Sequence, residues 1–169
     1  VQVLSIPGIR CTKITDVGID KTEERFDAIY VMDMERYDTL NNLITSSIDS
    51  WPTSGLEVSV SNTVSAFKSR NLDSSFAAAY FPDLLLASGV RVPPSVAVLG
   101  AYAYNDSVKY PWYAPAGVSR GTLSDMGISN VTTHLLKSNQ DDLYDVDINP
   151  ILALTGTGTE TVPGGAVTI

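Results

Sequence analysis

The sequence predicts an α/β fold, a layered sheet with helices on its faces. Three observations predict it. Strand-like and helix-like segments alternate along the chain, which is the pattern of layered α/β domains. Residues 26–32 form a run that is apolar except for Asp27 and is closed by Asp33, as in a strand buried on both faces of a parallel sheet. Residues 93–104 open on Pro93-Pro94 and continue apolar almost all round, as in a buried helix started by proline. The 169 residues suffice for one core. No internal repeat or boundary is visible, so 1–169 reads as a single α/β domain.

Each element follows in order. Residues 1–6 alternate and are β-rich, and Pro7-Gly8 turns the chain. Residues 22–25 read as a short helical turn before the strand ending at Asp33. Asp38 can cap a helix over 39–48, with Leu40, Leu43, Ile44 and Ile48 on one face, and Trp51-Pro52 ends it. Residues 53–75 are rich in Ser, Thr and Asn and read as a polar connection with one weak strand at 56–60. The apolar run 76–86 reads as one buried strand bent at Pro82-Asp83. In the helix from Pro93 to Tyr104, Gly100 allows close packing. Residues 105–128 mix aromatics, prolines and glycines, the composition of a packed loop. A helix is expected over 132–144, a turn at 147–150, a strand over 151–154, a Gly/Thr tip at 155–165 and a last strand at 166–169. The chain begins at Val1 inside one strand-like run and stops at Ile169 inside another, as expected of a piece of a longer chain.

Composition excludes several classes. Eleven basic against nineteen acidic residues give a net charge of −8, and the isoelectric point is near 4.4. Lys68 and Arg70 are the nearest thing to a basic run, so nucleic-acid phosphates should be repelled. No apolar run is long enough to span a bilayer, which argues against membrane insertion. Cys11 is the single cysteine, so no internal disulfide forms. The two N-x-S/T sequons, at Asn105 and Asn130, read as chance matches.

Candidate chemistry is sparse. A Ser/His/Asp hydrolase would have to use the one histidine, His134, as base, with Ser95 at a helix start as nucleophile and Asp33 at a strand end as orienter. No G-x-S-x-G elbow accompanies them. Asp33 also sits where dinucleotide folds place an acid, but neither G-x-G-x-x-G nor G-x-x-x-x-G-K-[ST] is present. Gly156-Thr157-Gly158 and Gly164-Gly165 read as a hairpin tip. Asp141, Asp142, Asp145 and Asp147 lack the glycine and terminal glutamate of a calcium loop and read as a solvated acidic face. Tyr110-Pro111-Trp112-Tyr113 reads as packing or a subunit contact, with a ligand platform as the alternative. No catalytic, cofactor or metal residue is therefore assigned.

From Asp73 onward the chain resembles the tail sheath protein of contractile bacteriophage tails and related injection machines. Residues 73–82, a small-residue run leading into Tyr80-Phe81-Pro82, resemble one strand of that family. Residues 92–103, followed by Asn105-Asp106, resemble its helix. Residues 110–117, ending in Ala114-Pro115-Ala116-Gly117, resemble its aromatic loop. Leu143-Tyr144 with 148–151 resemble its turn into the next strand. Ile6-Pro7-Gly8 and the strand ending at Asp33 are also similar.

The resemblance implies a subtilisin-like domain without protease function. The helix from Pro93 is similar to the nucleophile helix of such proteases, but in them the base precedes the serine, whereas His134 follows Ser95. It further implies a structural subunit that polymerises around a tail tube and contracts to drive the tube through the host envelope. Its partners would be other copies of itself, the tube protein, and baseplate and tail terminator proteins. Its place would be the virion tail, and the host cytoplasm before assembly, and no cofactor is implied. Family members continue with a W-G-x-R-T-like run and a C-terminal domain, so terminal arms and that domain are expected to be missing. Two other readings remain open: a degenerate α/β hydrolase-like enzyme, and a small-molecule binding module built on the aromatic loop.

Overall fold

The computed structural model describes residues 2–36, 60–108, 110, 112–117, 121–123, 126–155 and 159–163. The expected helix over 39–48 with its Asp38 cap, the Trp51-Pro52 stop, most of the weak strand at 56–60, the glycines at 156, 158, 164 and 165, and the last strand at 166–169 lie outside the described residues.

A five-stranded sheet forms the centre. Its first four strands in spatial order are β1 (Gln2–Ser5), β2 (Ala28–Asp33), β3 (Ala77–Phe81) and β7 (Ile148–Thr155), mutually parallel. The fifth, β8 (Thr159–Pro163), pairs antiparallel with β7. The expected α/β class with a layered sheet therefore holds. Side chains alternate across the sheet as the two-residue period of a strand requires. Tyr30, Met32, Ala77 and Ala79 point into one core with Ile19, Phe67, Leu143 and Ile148. Val31, Ala78 and Tyr80 point into the other, with Leu84, Val98 and Ile151 among its members.

The first core is covered by three helices: α1 (Thr12–Arg25), α2 (Ser61–Lys68) and α4 (Lys137–Tyr144). The second is covered by α3 (Pro94–Val108) and by a small antiparallel sheet. That sheet consists of β5 (Arg91–Val92), β4 (Leu84–Leu86) and β6 (Ile128–Val131), in that spatial order.

Several expectations are corrected. The helical turn at 22–25 is the end of the 14-residue α1. The buried face of α1 is Thr15, Gly18, Ile19 and Thr22, three of them polar or small, so the periodicity of large apolar residues is absent. Gly18 is needed there: a Cβ at this position would lie 2.9 Å from the Tyr30 ring. Phe26 is not in the strand but ends α1 in the left-handed region at φ 56°. The polar connection 53–75 contains α2, which Phe67 and Val64 anchor to the core.

The run 76–86 is two strands in two sheets, divided at Pro82, where the Phe81–Pro82 bond is cis. The expected all-apolar burial of the 93–104 helix is also one-sided. Pro94, Ser95, Ala97, Val98, Ala101 and Asn105 are buried, at helical spacing, while Val96, Tyr104 and Val108 are exposed. Gly100 does permit close packing, against Met126. Asn105 and Asp106 belong to this helix and not to the following loop.

The expected helix over 132–144 begins only at Lys137. The turn at 147–150 is largely strand, since β7 starts at Ile148. Pro150 is tolerated because it pairs with Phe81 at the last step of the β3 ladder, just before β8 takes up pairing at Ile151. Part of the 155–165 tip is β8.

Candidate functional site

In parallel α/β sheets ligands gather at the carboxyl ends of the strands. Here that edge carries two buried aspartates, Asp33 and Asp83, 2% and 7% exposed.

Asp33 is the last residue of β2. Its Oδ1 accepts the Ser95 backbone N–H at 3.0 Å, and its Oδ2 accepts the Ser95 hydroxyl at 2.9 Å and the Gly8 N–H at 2.9 Å. Ser95 is the second residue of α3. Asp33 therefore caps α3 from a neighbouring strand, placing negative charge where the helix leaves unpaired N–H groups. The same carboxylate holds the turn after β1, where Gly8 adopts φ 80°, a conformation glycine enters without steric cost. The contact joins β1, β2 and α3.

Asp83 follows the cis proline. Arg10 bridges across the edge, donating from Nη1 to the Met34 carbonyl and from Nη2 to Asp83 Oδ1, both at 2.8 Å. Arg36 Nε lies 3.7 Å from Asp83 Oδ2. The Asp83 carbonyl accepts the Thr132 N–H at 2.8 Å and its hydroxyl at 2.9 Å. A cavity of about 30 Å³ remains, lined by Arg10, Arg91 and Thr133 among others, with room on the scale of a water molecule.

Ser95 and Asp33 do meet, but directly. A triad needs histidine to receive the serine proton while aspartate holds the far side of the ring. Here the Ser95 proton goes to Asp33 itself, and Ser95 is 0% exposed, closed to any substrate. His134 lies between β6 and α4, not on a helix, and burial pushes its pKa below the ordinary value. Asp33 is equally unsuited to a ribose, because both of its oxygens already accept protein N–H or O–H groups. Asp141, Asp142, Asp145 and Asp147 are exposed, as a solvated acidic face should be. Among the described residues no group of His, Cys, Asp and Glu could hold a metal ion, and no helix is long and apolar enough to cross a membrane.

Among the described residues of the aromatic loop, Tyr110, Trp112 and Tyr113 are exposed. Tyr110 and Trp112 stack with ring centroids 4.8 Å apart, and Tyr113 packs edge-on against both. Trp112 is 75% exposed. Sequence reasoning missed the Arg10–Asp83 contact, since its partners lie 73 residues apart and neither belongs to a recognisable motif.

No family model matches the sequence. Over 67 residues the chain is 36% identical to a tail sheath protein of Vibrio phage KVP40, a stretch that makes up 40% of this chain and 10% of that protein. Its fold is similar over 99% of its length to a chain in the baseplate of the anti-feeding prophage, with a TM-score of 0.65 and 18% identity, covering 38% of that chain. It is similar over its whole length to a chain of the anti-feeding prophage helical sheath in the contracted state, with a TM-score of 0.59 and 20% identity, covering 39% of that chain. The resemblance to contractile tail sheath proteins is thus upheld in sequence, and the α/β fold in structure. The chain spans about a tenth of the curated relative and under two-fifths of the structural ones.

Proposed function

We propose that this chain is the central α/β body of a contractile sheath subunit. It packs with further copies of itself in a helical array around a tail tube, attached to a baseplate at one end and a terminator at the other. On contraction the copies move past one another as near-rigid bodies and drive the tube through the host envelope, a switch between two packings without bond chemistry. It assembles from the host cytoplasm into the virion tail. The flanking arms and C-terminal domain implied by the sheath resemblance belong to the same reading.

The sequence similarity to a phage tail sheath protein carries the proposal. Three physical features support it. At the carboxyl edge of the sheet Asp33 ties strand to helix and Asp83 clamps a turn, which suits a body that transmits force. Large apolar side chains stand in solvent on several elements, including Phe26, Val96, Tyr104, Val108, Tyr110 and Trp112, as expected where neighbours pack. The Ser95–Asp33 pair is buried and self-satisfied, which supports a non-enzymatic role over the hydrolase-like alternative. In this reading α3 is the nucleophile helix of a subtilisin-like fold turned to structural use.

Negative-stain electron microscopy of the full-length gene product tests the proposal. Tubes or stacked rings are expected, with the 169-residue chain alone eluting as a monomer on a sizing column. A monomeric full-length product under all salt conditions would overturn it. If acidic surfaces pair with basic patches on neighbours or tube, raising the salt concentration shortens the tubes, and unchanged lengths would remove that part.

A further inference from the structure

One cavity away from the carboxyl edge has the make-up of a binding site. It encloses about 150 Å³ beside the outer strand β1, with Val3 and Ile29 as strand walls and Pro115 as a loop wall. Asn105, from the last turns of α3, forms part of its lining and is 4% exposed. Its Nδ2 donates to the Tyr113 carbonyl at 2.9 Å. Its Oδ1 is buried and has no hydrogen-bond partner among the described residues. A buried amide oxygen without a donor is rare and costly.

The remaining lining is equally specific. Asp106, exposed at the mouth, makes no ion pair among the described residues. The Tyr102 hydroxyl is already taken by Tyr80 at 2.6 Å, so Tyr102 contributes its ring. Tyr113 adds a second ring, backed by the Tyr110–Trp112 stack. The cavity is thus lined by a carboxylate, an amide and two tyrosine side chains, and no cationic side chain lines it among the described residues.

We propose that this cavity binds an organic cation of the guanidinium or ammonium type carried on an aliphatic stem. The stem lies on Val3, Ile29 and Pro115, as long basic side chains lie on apolar surface. The charged head meets the Asp106 carboxylate and the tyrosine rings. The head group can come from a lysine or arginine of another protein chain or from a free polyamine-type cation. The inference does not depend on the sheath reading.

Nuclear magnetic resonance titration of the ¹⁵N-labelled chain tests it. The probes are Nα-acetyl-arginine-N-methylamide, agmatine, spermidine and the uncharged Nα-acetyl-citrulline-N-methylamide. Saturable shifts of the Asn105 side-chain amide and the Tyr113 backbone amide are expected with the cations. Asp106→Asn, a change at an exposed position that leaves the fold intact, should weaken binding about tenfold. The citrulline probe should bind about tenfold more weakly than its arginine counterpart. Tighter binding of the capped arginine than of agmatine or spermidine identifies a protein side chain as the occupant, and the reverse order identifies a free cation. Equal binding of the citrulline and arginine probes, an unchanged affinity in Asp106→Asn, or no saturable shift with any cation would overturn the proposal.

Discussion

Asp33 and Asp83 close neighbouring strands of the same sheet edge, yet they are satisfied in opposite ways. Asp33 takes only neutral donors, two backbone N–H groups and one hydroxyl. Asp83 takes guanidinium groups, Arg10 in hydrogen-bonding contact and Arg36 farther off. The first arrangement fixes direction, because backbone donors cannot turn away. The second fixes charge, and it is partly wet, since Arg10 remains 19% exposed. The difference teaches where rigidity resides. The Asp33 contact ties three elements through short directional bonds, whereas the Asp83 contact clamps a turn through a screened ion pair.

Breaking Asp33 should cost the most. Asp33→Ala strands the Ser95 N–H and hydroxyl in a dry site, and a loss of about 3–4 kcal/mol is expected, read as a lower urea midpoint with unchanged slope. Arg10→Ala should cost less, about 2 kcal/mol, because the partial exposure of Arg10 lets water replace some of what Asp83 loses. Ser95→Ala removes one of three bonds and leaves Asp33 its backbone partners, for about 1 kcal/mol. Salt sharpens the contrast. Raising ionic strength to about 1 M shrinks the screening length to ~3 Å, which should narrow the gap between Arg10→Ala and the parent while leaving the Asp33→Ala gap unchanged. Equal salt responses of the two variants would show that the two carboxylates are held in the same way.

A smaller effect comes from the Tyr80–Tyr102 pair between β3 and α3. Burial, with the neighbouring tyrosine, pushes Tyr80 well above its ordinary value of 10.0, and burial also raises Tyr102. Folding thus favours the protonated phenols. That stability is fully present below the unfolded value and is lost as pH rises beyond it. Urea midpoints should fall between about pH 9 and pH 11, and Tyr102→Phe should lessen the fall. A midpoint flat over that range would show that these phenols ionise as freely folded as unfolded.

Much of this molecule was legible in sequence where large apolar residues set the pattern. The strand ending at Asp33 and the proline-started helix were legible, although the strand begins at Ala28 and the helix buries only one face. Helix α1 was not legible, because its buried face is Thr15, Gly18, Ile19 and Thr22, and close approach to the Tyr30 ring selects small residues there. The division of 76–86 between two sheets was hidden, since both halves are equally apolar and only the tertiary pairing separates them. Of the candidate site, Asp33 and Ser95 were weighed as a hydrolase pair and left unassigned, and their contact with each other was not legible. A sequence brings a carboxylate and a hydroxyl to mind as chemistry, whereas the distance between them, 2.9 Å with no imidazole intervening, makes them a helix cap.

The sheath reading joins this rigid edge to the exposed aromatic surface, and a helical reconstruction of tubes formed by the full-length gene product tests it most directly. The account predicts that the domain fits the density as one body, with the Asp33–Ser95 contact intact and Trp112 or the Val96–Tyr104–Val108 face of α3 buried against a neighbouring subunit. Failure to form tubes, or tubes in which these residues stay in solvent and the domain must be broken to fit, would contradict it.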